Sequence, residues 1–181
     1  AGCAVHCTSA YPSEADLLAG IAAHRPVALL HRQGLISGAV MDAAAPGLRV
    51  IARHGAGVDG IDLAAAEARG LTVTRAAGAN SRSVAEHAMT MILTLLKDFP
   101  SVEEGIRAGR WEKTARMTRD VDGTALGIVG YGAIGSKVAR LADAFGMKVA
   151  AYDPLLPPGA LPGPGERVAD LATLLARSEV L

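Results

Sequence analysis

The stretch from Thr124 to Asp153 reads TALGIVGYGAIGSKVARLADAFGMKVAAYD. Its apolar run, Ala125 to Val129, predicts a buried strand. The strand ends in Gly130-Tyr131-Gly132-Ala133-Ile134-Gly135, a G-x-G-x-x-G. A helical pattern follows at once, with Ile134, Val138, Leu141, Ala142 and Phe145 on one face. Gly146 stands where a helix C-terminus takes up positive φ. Met147 to Tyr152 predicts a second strand, closed by Asp153.

Each part of this unit has a physical task. Gly130 lets the chain turn sharply out of the strand. Gly132 carries no Cβ, so a pyrophosphate can approach the backbone. Gly135 lets helix and strand pack closely. The helix N-terminus, around Ala133 and Ile134, offers unpaired N–H groups and a partial positive charge to phosphates. Asp153 comes 18 residues after Gly135, where a carboxylate accepts hydrogen bonds from ribose hydroxyls. Strand, glycines, helix, strand and acid in this order predict a dinucleotide site. They weigh against an ordinary βαβ unit with a tight turn.

Asp153 also bears on which dinucleotide is bound. Two like charges about 4 Å apart repel by roughly 4 kcal/mol at an effective dielectric of 20, before salt screening. A 2′-phosphate would meet that repulsion. The residue after Asp153 is Pro154, and no Arg or Lys adjoins it in sequence to offset the charge. NAD is therefore expected over NADP.

Working outward, 181 residues, half of them hydrophobic, suffice for one domain or two small ones. The formal net charge is zero and the basic residues are scattered, so a nucleic-acid surface is not expected. No apolar run is long enough to cross a bilayer, and no signal peptide is apparent. A reducing cytoplasm is the default. Cys3 and Cys7 are too few for a disulfide framework. With His6 between them a metal site is conceivable, but their expected role is as small apolar residues flanking a strand at Ala4 to Thr8.

Short apolar strands and helices alternate from the N-terminus. Ser13-Glu14-Ala15-Asp16 starts a helix. Val27 to Leu30 predicts a buried strand ending at His31-Arg32-Gln33-Gly34. Ser37 to Ala43 predicts a short helix, and Leu48 to Ala52 another buried strand, ending in Gly55-Ala56-Gly57-Val58. Leu63 to Arg69 predicts a helix and Leu71 to Thr74 a strand. Such alternation predicts a parallel sheet covered on both faces. Ser83-x-x-Glu86 has capping-box spacing. Val84 to Leu96 is apolar on nearly all sides, which predicts a helix buried all round. A polar helix is expected from Val102 to Ala108. Trp111, the only tryptophan, either caps its own domain's core or anchors a subunit contact. Pro154 to Gly165 predicts a loop, Val168 to Ala176 a helix, and Glu179-Val180-Leu181 the start of a further strand.

Four segments together resemble the D-isomer-specific 2-hydroxyacid dehydrogenases, on the branch with 3-phosphoglycerate dehydrogenase and hydroxypyruvate reductases. They are LRVIARHGAGVDGIDLAAAEARGLTV (48–73), GANSRSVAEHAMTMILTLLKD (78–98), RAGRWEK (107–113) and LGIVGYGAIGSKVARLADAFGMKVAAYDP (126–154). The resemblance implies an α/β protein of two doubly wound parallel-sheet domains. Residues 1–80 would form the N-terminal part of a flavodoxin-like substrate domain. Residues 81–181 would form a Rossmann NAD-binding domain, incomplete here. The loop Gly55-Ala56-Gly57-Val58 would face the substrate carboxylate, with Ala56 also near the nicotinamide end of NAD. This agrees with a Gly-rich turn at a strand end, which can present several N–H donors to an anion. Arg32 matches a position that often carries substrate-facing polar residues, and a surface arginine is the equal alternative.

The implied reaction is hydride transfer between a small D-2-hydroxy acid and NAD, giving the 2-oxo acid. In the family a His, paired with a Glu, and an Arg perform it. All three lie beyond the point matching Leu181, so no catalytic residue is assigned and the chain as written is expected not to turn over. His54 does not match the catalytic position, and His87, in the first turn of a buried helix, is expected to be structural. A homodimer through the segments matching 84–113 is expected. The alternative is a non-catalytic, NAD-sensing, corepressor-like binding protein on the same scaffold.

Overall fold

The computed structural model describes residues 2–111, 113, 117–157 and 159–181. Glu112 of the 107–113 segment and Pro158 of the Pro/Gly-rich loop lie outside the described residues. The chain divides into two compact units, Ala1–Ala79 and Asn80–Leu181.

The N-terminal unit alternates helix and strand: α1 (Glu14–His24), β1 (Ala28–His31), α2 (Gly38–Ala43), β2 (Val50–Arg53), α3 (Leu63–Ala68) and β3 (Thr72–Arg75). Local chemistry sets these limits. Ser13 and Asp16 form a reciprocal capping box at the start of α1. Ser37 and Asp62 cap α2 and α3 through their side-chain oxygens. The three strands are parallel in the order β1-β2-β3, with Leu29, Ile51 and Val73 in register. Those residues share one face and pack with Ile21, Val40, Met41 and Ala66 of the helices.

Two expectations fail in this unit. Among the described residues the sheet is covered on one face: Leu30, beside Leu29 on β1, is 78% exposed, because successive strand residues point to opposite faces and all three helices contribute to the core on the other. Residues 4–8 form no strand and are exposed, Cys3 and Cys7 with them. Among the described residues, nothing pairs with that segment's backbone. His6 instead stacks on His24 at the end of α1, with ring centroids 3.7 Å apart.

The C-terminal unit contains α4 (Ser81–Leu96), α5 (Phe99–Arg107), β4 (Ala125–Val129), α6 (Gly135–Ala144), β5 (Lys148–Tyr152), β6 (Glu166–Arg167) and α7 (Leu171–Arg177). Its strands are parallel in the order β4-β5-β6. Across the free edge of β4, Val180 forms a parallel bridge to Leu126, and the Gly127 N–H donates to the Val180 oxygen at 2.8 Å. The chain therefore steps from β6 over to the far side of β4, which makes the edge beside β4 a topological switch point. Both faces are covered. Val149 and Ala151 of β5 pack into a core with α4 and α6. Ala150 and Tyr152 face the other way, towards Leu174 of α7 and Val168 just after β6. Fully burying a side chain such as Leu126 stabilises by about 1.5–3 kcal/mol.

Here too the helices differ from expectation. α4 is not buried all round: Ala85, Met89 and Leu96 are buried, whereas Met91 and Leu95 are exposed. It begins two residues before Ser83, with Asn80 as N-cap, so Ser83-x-x-Glu86 is not its capping box. Glu86 pairs with Arg82 instead, at 2.8 Å. α5 starts at Phe99, Pro100 opening the first turn as proline can. α6 buries Val138, Ala139 and Ala142, leaving Ile134 and Phe145 largely exposed at its ends. α7 starts at Leu171 rather than Val168, because Asp170 caps it through the Thr173 N–H.

Candidate functional site

All three strands of the C-terminal unit end on the same edge of the sheet, because they are parallel. That edge carries Gly130, Asp153 and the end of β6 at Arg167. Gly130 has φ +89°, a conformation that side chains disfavour, and turns the chain out of β4. A Cβ on Gly135 would lie 2.0 Å from the Gly130 carbonyl oxygen, so α6 can start this close to β4 only with glycine there. A Cβ on Gly132 would meet nothing within 4 Å. The N–H groups of Gly132, Ala133, Ile134 and Gly135 make no hydrogen bond among the described residues. A ten-residue helix thus presents its N-terminal donors beside open space, the arrangement that holds a pyrophosphate.

Asp153 is built into this turn. One carboxylate oxygen accepts from the Tyr131 N–H and the other from the Leu155 N–H, both at 2.8 Å. These bonds, the Tyr131 bond first, hold its carboxyl below the usual range, and the Arg167 guanidinium adds to the effect. Each oxygen keeps a lone pair, so two ribose hydroxyls can still be accepted. The residues present therefore fit a dinucleotide.

Two residues of this edge were not singled out by sequence. Tyr131 is buried, its phenol pKa pushed up by burial, and its hydroxyl donates to the Pro164 carbonyl at 2.6 Å. That bond ties the far end of the Pro/Gly-rich loop to the glycine turn. Arg167 donates to the carbonyls of Leu156, at 2.9 Å, and Pro157. A cation therefore does stand near Asp153, contrary to the sequence expectation. It comes from β6, a two-residue strand in the gap that sequence left unassigned between the loop and the last helix. Its donors to Leu156 and Pro157 are used on main-chain oxygens.

In the N-terminal unit, the Gly55-Ala56-Gly57-Val58 loop follows β2, next to the turn after β1. Gly55 has φ +142°. Arg53, which sequence did not single out either, donates from Nε to the Gly57 carbonyl at 2.8 Å and from Nη1 to the Arg32 carbonyl. Arg53 thus brings Arg32 and the glycine loop together through their main chains. Arg75, at the end of β3, donates from Nη1 to the Ala56 carbonyl at 3.2 Å. The N–H groups of Ala56, Gly57 and Val58 make no hydrogen bond among the described residues. Two guanidiniums take the Ala56 and Gly57 oxygens, and the loop's donors remain available to an anion. The Arg32 side chain itself is exposed.

The remaining candidates separate plainly. His54 is exposed, and its N–H donates to the His31 carbonyl at 2.9 Å. His87 is exposed on α4, so the structural role expected of it in a buried turn does not hold. His31 is buried, its Nε2 3.0 Å from the Gly34 oxygen. Trp111 is 81% exposed and does not cap a core. Among the described residues no group of His, Cys, Asp or Glu could hold a metal ion, and no helix is long and apolar enough to cross a membrane.

Comparison with known proteins places this architecture. Residues 89–181, just over half of the chain, match the family model of the D-isomer specific 2-hydroxyacid dehydrogenase, NAD binding domain. The chain is 38% identical over 138 residues to a D-3-phosphoglycerate dehydrogenase of Archaeoglobus fulgidus, covering 76% of this chain and 26% of that protein. It is 40% identical over 134 residues to a hydroxypyruvate reductase of Thermotoga maritima, covering 74% of this chain and 43% of that protein. A crystal structure of a Thermus thermophilus protein superposes with TM-score 0.80 at 33% identity, over 92% of this chain and 52% of that one. The chain thus spans less than half the length of these two curated relatives, and about half of the solved structure. With its glycine turn, its acid at the end of the second strand and its parallel sheet inside the matched region, the chain belongs to the D-isomer-specific 2-hydroxyacid dehydrogenase family and carries part of that family's NAD-binding domain.

Proposed function

We propose that the protein of which this chain forms part is an NAD-dependent oxidoreductase that interconverts a small D-2-hydroxy acid and its 2-oxo acid. Its substrate class is that of 3-phosphoglycerate, hydroxypyruvate or glyoxylate. The observation that carries this reading is the edge where Gly130–Gly135 and Asp153 meet, with free N–H donors at the start of α6 and a carboxylate fixed opposite them. When bound, NAD supplies the hydride acceptor. The chain's own part is to bind and orient. The α6 N-terminus, at Gly132, Ala133, Ile134 and Gly135, takes the pyrophosphate, and Asp153 takes the ribose hydroxyls. Asp153 also disfavours a 2′-phosphate by like charge.

Residues 1–80 serve as the substrate domain and 81–181 as the cofactor domain. The 55–58 loop takes the substrate carboxylate through the Ala56, Gly57 and Val58 N–H groups, with Ala56 also near the nicotinamide, and Arg32 contributes from the neighbouring turn. A homodimer is part of the same reading. Support comes from the apolar side chains that α4 and α5 leave in water: Met91, Leu95, Phe99 and Ile106, with Trp111 just beyond. The cytoplasm, where the exposed Cys3 and Cys7 stay reduced, is the proposed compartment.

The full-length protein, given NADH and a panel of 2-oxo acids, is expected to oxidise NADH with at least one of glyoxylate, hydroxypyruvate and 3-phosphohydroxypyruvate. NADH binding without oxidation by any 2-oxo acid would sink the enzymatic reading.

A further inference from the structure

We propose that Arg53 and Arg75 are positioning residues that hold the carbonyl oxygens of the 55–58 loop and so aim its N–H groups at the substrate carboxylate. The inference rests on the reading of that loop as the carboxylate site and names what gives the site its shape. A short loop of alternating glycines has many conformations of similar energy, and ordering each residue costs about 1–2 kcal/mol of conformational entropy. Something must select the one conformation that points successive N–H groups the same way.

The selection is visible in the hydrogen bonds. Arg53 lies at the end of β2 and reaches forward four residues to the Gly57 oxygen, at 2.8 Å. The same guanidinium reaches the Arg32 oxygen in the turn after β1. Its fork therefore spans two loops that follow neighbouring strands. Arg75 lies at the end of β3, in register with Arg53, and takes the Ala56 oxygen at 3.2 Å. The Gly55 oxygen is held by the Ala76 N–H at 3.0 Å. Three successive carbonyls, Gly55, Ala56 and Gly57, are thus fixed by Ala76, Arg75 and Arg53, residues at or just after the ends of β3 and β2. Peptide planarity makes each N–H point opposite to the carbonyl of the residue before it. Fixing the oxygens of residues 55, 56 and 57 therefore turns the Ala56 N–H away from Ala76, the Gly57 N–H away from Arg75 and the Val58 N–H away from Arg53.

A guanidinium is suited to this task because its rigid plane donates from separate nitrogens, here Nε and Nη1, whereas an ammonium donates from a single rotating nitrogen. Arg53→Lys keeps the charge and loses the fork, so it separates positioning from simple attraction of an anion.

The test uses full-length protein with NADH bound. Oxalate, a non-reacting stand-in for a 2-oxo acid, is titrated by its effect on NADH fluorescence. KM and kcat are measured for the best 2-oxo acid. Arg53→Met, Arg53→Lys and Arg75→Met are each expected to weaken oxalate binding and raise KM about tenfold, with kcat changed less and NADH affinity unchanged, since misaimed groups lose binding steeply. Full restoration of oxalate affinity in Arg53→Lys would overturn the proposal in favour of bare charge. Unchanged oxalate affinity in Arg75→Met, whose side chain is exposed, would overturn it even if Arg53→Met fails to fold. Wild-type protein that binds NADH but no oxalate and reduces no 2-oxo acid would remove the underlying reading of the loop, and the proposal with it.

Discussion

At the scale of single residues, Gly135 and Asp153 fix the geometry of the glycine turn by opposite means. Gly135 acts through what it lacks. Gly135→Ala would force a Cβ onto the Gly130 carbonyl, which is backbone and cannot swing aside. Its expected cost lies at the upper end of the about 1–3 kcal/mol typical of overpacking, read from urea denaturation, with NADH affinity falling in parallel. Asp153 acts through its charge. Its folded pKa is depressed by the Tyr131 and Leu155 N–H groups. Its contribution to stability is therefore complete above the unfolded value of about 3.9 and is lost as pH falls through the folded value. Urea midpoints measured down the acid range should fall less steeply in Asp153→Asn than in wild type. Identical slopes would mean that these two bonds do not persist in solution.

At the scale of elements, the exposed apolar face of α4 and α5 is where the proposed dimer can be tested. Leu95 is 78% exposed in the last turn of α4, and Phe99 follows at the start of α5. Leu95→Glu places a charge on that face without touching the buried Ala85–Met89 side. Light scattering on the full-length protein is expected to give a dimer for wild type and a shift to monomer for this variant. The same helix shows where sequence reading stopped. Val84 to Leu96 is apolar on nearly all sides, so periodicity could say that it needs covering on more than one side but not by what. The β4–α6–β5 unit was legible because its signals agree: an apolar strand, a glycine turn in which Gly130 takes positive φ and Gly135 has no room for a Cβ, and an acid at the next strand end. β6 was illegible because two residues carry no periodicity. Residues 4–8 read as a strand from composition alone, and a strand forms only where another edge accepts it. Arg53, Arg75 and Arg167 escaped notice for one common reason. Each acts through main-chain oxygens several residues or a whole strand away, and no side-chain pattern marks such a partner.

At the scale of the whole molecule, two units carry complementary halves of the proposed chemistry, and their sheets are covered differently. The C-terminal sheet is enclosed on both faces, whereas the N-terminal sheet leaves Leu30 and its neighbours in water. The chain as a whole has no formal net charge, so no long-range field draws an anion towards it. The two arginines behind the 55–58 loop change that locally. Their hydrogen bonds go to neutral carbonyls, and among the described residues neither forms an ion pair. Their positive charge is spent on no counter-charge. An approaching 2-oxo acid should therefore be steered over about the last 8–10 Å, the screening distance at physiological salt. Stopped-flow association rates should fall as ionic strength rises, and dissociation rates should barely move. The clamp that shapes the loop at rest would then also set how quickly it captures its anion.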